Sequence, residues 1–179
     1  DLTGGDANVA IGREAAQNLT TGVQNVVIGM QALNTATNSS NCVILGLYAG
    51  LDINNSAADG TVLVGRSAGE NITSAAANSA VGYFAGSTLT TGASNVVVGY
   101  DAMRNSHLGC DKNVVIGRGA FYNGEVDDAV FIGFNAGGDG TTETGANGAV
   151  GIGKSALNNL TSGAGNTAVG YQSLDATTT

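Results

Sequence analysis

Two stretches of the chain have the residue types and spacing of catalytic motifs. Gly148-Ala-Val-Gly-Ile-Gly-Lys-Ser155 fits G-x-x-x-x-G-K-S, a loop whose backbone N–H groups cradle phosphates while its lysine reaches the outer ones. Gly65-Arg-Ser-Ala-Gly69 fits G-x-S-x-G, the turn that presents a nucleophilic serine to a general base. Each chemistry demands something of the surrounding chain. The phosphate loop needs a strand before it and a helix after it, with the helix N-terminus facing the anion. Here the following residues include Asn-Asn-Leu-Thr-Ser-Gly (158–163), which read as a turn. The serine needs a histidine, and the one histidine, His107, falls in a variable segment and reads as a solvated loop residue.

The loops 124–128 (GEVDD) and 137–145 (GGDGTTETG) carry carboxylates and carbonyls that could ligate Ca2+, but they match neither the EF-hand nor the nonapeptide β-roll spacing. They read as solvated acidic loops. Asn-x-Ser/Thr triplets at Asn18, Asn38, Asn54, Asn71 and Asn159 are what an Asn- and Thr-rich chain produces by coincidence. Two cysteines, Cys42 and Cys110, are too few for a disulfide framework. No catalytic, cofactor or metal site is expected, and the chain reads as a non-enzyme.

What positions these residues is a repeat. Aligned on a glycine, the chain divides at Gly12, Gly29, Gly46, Gly65, Gly82, Gly99, Gly117, Gly133, Gly153 and Gly170, with spacings of 16 to 20. The residue before the glycine is always Ile, Leu or Val. Three before it is Val in eight repeats, four before it is Asn in six, and three after it is Ala in nine. A period this short is the mark of a solenoid. A β-branched run ending at glycine reads as a strand followed by a sharp bend. Apolar residues seven after the glycine (Leu19, Ile53, Ile72, Leu89, Leu160) mark an inward position on a return leg. LTTG and LTSG (19–22, 89–92, 160–163) read as turns whose glycine takes a positive φ. Each repeat is thus one coil of a parallel β-solenoid, all-β, filling residues 1–179 as a single domain. At one strand spacing per coil, ten coils span about 45 Å. The asparagines of successive coils then stack into a ladder. Lys154 of the phosphate-loop match and both glycines of the serine motif are simply rows of this register.

Two rows carry the functional expectations. The first follows the register glycine and holds Arg13, Arg66, Arg118, Lys154, Tyr83, Tyr100, Phe134 and Tyr171. Rings and guanidinium groups on a rigid ridge can stack on sugars or anchor a partner. Alternatively the row edges an interface between chains, with its cationic stems lying over that edge. The second row lies two before the glycine and includes Val27, Ile44, Leu63, Val97, Val115 and Phe131. Alternate residues of a strand face opposite sides, and the rows one and three before the glycine are apolar too. The strand is therefore buried on both faces, and the row two before the glycine is expected to meet an identical chain.

Composition narrows the partners. The net charge is −8 with six Lys and Arg, too few cations to neutralise a run of phosphates, so nucleic acid is not a partner. An anionic membrane surface is excluded on the same ground, and no apolar run is long enough to span a bilayer. Hydrophobic residues make up 42% of the chain, more than a disordered segment carries.

The units N-x-A-V-G-Y-x-[AS]-L and LTTG resemble repeats of phage tail fibres and the head repeats of trimeric autotransporter adhesins. The resemblance covers nearly the whole chain. It implies a homotrimeric β-roll or β-helix, located outside the cell, on a cell surface or on a virion, that serves as a stiff spacer or attachment segment of a longer fibre. It implies no receptor and no binding residue; a cell-surface glycan or protein receptor is expected only as the partner that an attachment surface would meet. The alternative from another class is a glycan- or ice-binding solenoid, for which the irregular Thr positions offer no flat array.

Overall fold

The computed structural model describes residues 4–54, 58–106, 109–138 and 146–176. His107 and most of the 137–145 loop lie outside the described residues. Ten three-residue strands follow one another: β1 (Val9–Ile11), β2 (Val26–Ile28), β3 (Val43–Leu45), β4 (Val62–Val64), β5 (Ser79–Val81), β6 (Val96–Val98), β7 (Val114–Ile116), β8 (Val130–Ile132), β9 (Val150–Ile152) and β10 (Thr167–Val169). They form one sheet in chain order, every pair parallel and in register, with Val97 opposite Ala80 on one side and Val115 on the other. The fold is a parallel β-solenoid, and its register is the one the glycines mark.

Every coil is tied to both neighbours through its backbone. The register glycine donates its N–H to the carbonyl one before the glycine in the preceding coil, as in Gly99 to Val81 (2.9 Å). Three residues earlier, Val96 donates to Asn113 of the following coil (2.8 Å). The return leg is paired as well, although it is not extended. Residues two and four after the glycine sit in the left-handed region, for example Asp101 (φ 53) and Met103 (φ 50). Their N–H groups consequently point to opposite coils. Asp101 donates to Tyr83 of the preceding coil (2.9 Å), and Met103 to Ala120 of the following one (3.0 Å). Left-handed backbone costs an ordinary residue about 1–2 kcal/mol, and here the inter-coil hydrogen bonds hold it in place.

The register glycines are obligatory for two reasons. Their φ lies between 130° (Gly170) and 144° (Gly29), a region that side chains avoid. A Cβ on Gly12 would also sit 2.6 Å from the carbonyl oxygen of Gly29. The turn glycines differ from expectation. Gly22 and Gly92 do not take a positive φ; they are required because a Cβ would overlap the Ser39 and Cys110 carbonyls of the next coil. Gly163, in the third such turn, does have φ 105.

The asparagine ladder forms as the stacking predicted. Asn95 accepts from the Asn113 backbone N–H (2.9 Å) and Nδ2 (3.1 Å) at its Oδ1, and donates its own Nδ2 to Asn78 Oδ1 (3.1 Å) and the Cys110 carbonyl (2.6 Å). All three asparagines are buried, so each amide satisfies a neighbour that water cannot reach.

The core sits between the sheet and the return leg, and it corrects the face expected for an interface. Val27, Ile44, Leu63, Val97, Val115 and Phe131 are buried inside the chain itself, against the alanines three after the glycine. They are not available to a partner. The rows one and three before the glycine face outward instead: Val97 is 1% exposed while its neighbour Val96 is 39% exposed. Both rows were apolar, so polarity could not tell inside from outside; the bend at the register glycine turns the middle residue of each strand inward. The outer face is apolar all the same, with the parity reversed. On that face only Ser79 and Thr167 interrupt Val, Ile and Leu.

Inside the coil, volumes alternate between two positions on the return leg. Gly50, Gly69 and Gly86, four after the register glycine, each face Ile53, Ile72 or Leu89 of their own coil; a Cβ at Gly69 would lie 2.7 Å from Ile72 Cδ1. Where the first position is large, as in Leu33, Met103 and Phe121, the second is Ala36, Ser106 or Gly124; the exception is the coil of Leu157 and Leu160, both large, whose middle strand residue is Gly151. Phe131 takes more than its share. It stacks on Phe121 (centroids 5.0 Å, 8°), and its ring occupies the space that Gly137 and Gly151 leave.

Candidate functional site: a ladder of rings and cations

Neither catalytic motif finds its context. In the phosphate-loop match, β9 precedes Gly153 but turns follow it, with no helix. Lys154 Nζ lies over the rings of Phe134 and Tyr171 at 5.7 and 5.6 Å. In the serine motif, Ser67 is buried in a left-handed position (φ 54) of the return leg. Among the described residues no group of His, Cys, Asp and Glu could hold a metal ion, and no helix is long and apolar enough to cross a membrane. Asp111 and Asp127 cap the coil instead: Asp111 Oδ1 accepts from Ala93 N–H (2.7 Å), and Asp127 Oδ1 from Asp111 N–H (2.8 Å). Both cysteines are buried, and neither forms a disulfide. Burial pushes the Cys110 thiol up to about 11, with the carboxylates of Asp127, Glu125 and Asp111 adding to the rise, so the thiolate needed for reactivity does not form near neutral pH.

The row after the register glycine is a continuous ladder from Arg66 to Tyr171. Because the coils are in register, each side chain lies one strand spacing from the next, close enough for ring and cation contacts. Arg66 Nη1 donates to Tyr83 Oη (3.2 Å) and lies over that ring at 5.5 Å. Tyr83 stacks on Tyr100 (5.3 Å, 7°). Arg118 lies between Tyr100 and Phe134, at 5.6 and 5.8 Å from their centroids. Lys154 then continues to Tyr171. At the other end, Arg13 Nη2 donates to Met30 Sδ (3.3 Å). The structure thus brings together Arg66, Tyr83, Tyr100, Arg118, Phe134 and Tyr171 of the expected contact row, while Arg13 stands apart from them.

A groove of about 390 Å3 opens in this ladder, lined by Tyr100, Asp101, Arg118, Tyr122, Phe134 and Asn135 with Gly119 as its floor. Gly119 explains it. The position two after the register glycine carries a side chain in the flanking coils, Asp101 and Asn135, but none here. A Cβ at Gly119 would sit 2.6 Å from Asn135 Oδ1, so Asn135 leans into the space that the missing side chain leaves, and the notch is the remainder of it. Asp101 is held by Arg104 (3.0 Å), whose guanidinium also lies over Phe84 at 4.1 Å. Sequence reasoning found the ladder but missed the groove. The signal was there in the one glycine of an otherwise substituted row.

Compared with protein-family models, with curated proteins and with solved structures, the chain matches none of them.

Proposed function

We propose that the chain is a non-enzymatic, homotrimeric segment of an extracellular or virion fibre, serving as a stiff spacer and attachment surface. One observation carries this reading: the outer face of the sheet is a strip of Val, Ile and Leu from β1 to β10, interrupted only by Ser79 and Thr167. Parallel sheets are covered on both faces almost without exception, and a soluble protein leaves no such strip in water. The strip has no charge along it and repeats at every coil, so a second copy of the same rod matches it coil for coil. Closed rotational symmetry lets three copies bury three strips around one axis. The repeats' resemblance to those of trimeric fibres supports three rather than two. Stiffness follows from in-register coils, each bonded to both neighbours, and the rings and cations beside the strip are left to meet a host surface.

Paired substitutions on adjacent residues test it. Val96→Asp places a carboxylate on the outer strip, where an assembled protein would bury it with no cation beside it; the cost is several kcal/mol per chain. The expected result is a folded monomer with unchanged far-UV circular dichroism. Val97→Asp buries the charge in the chain's own core, and loss of the fold itself is expected. An intact oligomer in Val96→Asp would contradict the interface.

A further inference from the structure

We propose that the groove at Gly119 binds an acidic saccharide, a sugar chain carrying carboxylates of the hexuronate kind, with Arg118 as the carboxylate contact. The inference deepens the attachment part of the preceding reading by naming what the surface takes.

Three features of the groove point to this chemistry. First, its two rings present exposed edges at a spacing that suits a sugar chain. Tyr100 and Phe134 are 48% and 42% exposed and lie two coils apart, about 10 Å by strand spacing. Ladder neighbours lie over the faces of both rings, Tyr83 and Arg118 for Tyr100, Arg118 and Lys154 for Phe134, so a sugar meets their exposed outer edges while the chain between them crosses Arg118. Second, Arg118 is exposed, lies between two rings and makes no ion pair with a described residue. Among the described residues the one ion pair is Arg104–Asp101, so Arg118 keeps its fork of donors for a ligand carboxylate, which it can hold bidentately. Third, the polar groups of the groove suit hydroxyls. Asn135 Oδ1 leans over the Gly119 notch, and the Asp101 carboxylate and Tyr122 hydroxyl line the same space.

Charge distribution agrees. The chain carries −8 overall, yet Arg13, Arg66, Arg118 and Lys154 share one row. At physiological salt the screening length is about 8 Å, so an anion in the groove senses chiefly the groove's own charges, Arg118 and, one coil beyond Phe134, Lys154. Asp101, the carboxylate within the groove, is neutralised by Arg104. The flanking cation at Lys154 is again two coils from Arg118, so carboxylates on alternate sugars of a linear chain meet a cation each. Such a ligand lies along the rod axis.

The test is calorimetric titration of the assembled wild-type protein with a short oligogalacturonate, and with its methyl ester, at physiological salt. Saturable binding of the acid, weakened at least about tenfold in the ester, is expected. Arg118→Gln should lose binding by a similar factor with its thermal unfolding unchanged, and Gly119→Asn, which fills the notch, should lose it too. Arg66→Gln lies outside the groove and should bind as wild type does. No binding of the acid, equal binding of acid and ester, or full binding by Arg118→Gln would each overturn the proposal. None of these outcomes bears on the oligomer, whose mass is read separately.

Discussion

A single missing Cβ decides most of this structure, and its weight depends on where it is missing. At Gly99 the backbone has φ 142 and a Cβ would overlap the carbonyl of Gly117. Neither atom can move without breaking the ladder of the neighbouring coil. Gly99→Ala should therefore cost at least about 4 kcal/mol, in the range reserved for severe strain. Gly148 is also left-handed (φ 73), but a Cβ there meets nothing within 4 Å, and Ala77 holds the equivalent place in its coil at φ 58. Gly148→Ala should cost no more than about 1 kcal/mol. Urea unfolding of both variants compares them directly; equal losses would mean that the register glycines are not special. The register glycines were legible in the sequence because they recur. The left-handed residues two after them were not. Glu14, Gln31, Tyr48 and Asp101 occupy those places, and nothing in their side chains asks for that conformation; inter-coil hydrogen bonding imposes it.

At the scale of the coil, the sequence was clear about the strand and silent about its parity. A strand such as Val96-Val97-Val98 is apolar on both faces, so hydrophobicity assigns neither to the core. Variation in size does. The middle row runs from Gly151 to Phe131, with changes in one coil compensated in the next, as a close-packed interior requires; the outer rows keep to Val, Ile and Leu apart from two polar substitutes. The same compensation links the two return-leg positions, and it is open to test. Leu89→Ala leaves a cavity beside Gly86 and should cost about 2–5 kcal/mol. Gly86→Leu alone overpacks the same space, at about 1–3 kcal/mol. Combined, they reproduce the arrangement of Leu33 and Ala36, and the double variant should recover more than half of the Leu89→Ala loss. Additive losses in the double-mutant cycle would show that the two positions do not share one space.

For the whole molecule, the solenoid leaves one face without cover. Inter-coil hydrogen bonds and the asparagine ladder account for a rod that holds its shape, and the core is closed within the chain. The outer strip is not explained by anything inside it. It is the feature on which the proposed oligomer and the fibre reading rest. The groove at Arg118 adds a surface on the flank but does not require the assembly. The decisive measurement is the mass of the wild-type protein in solution, by light scattering coupled to size exclusion at micromolar concentration. The account predicts a species of three times the 17.6 kDa chain. A stable, soluble particle of 17.6 kDa would contradict it, because the apolar strip would then stand in water with nothing to cover it.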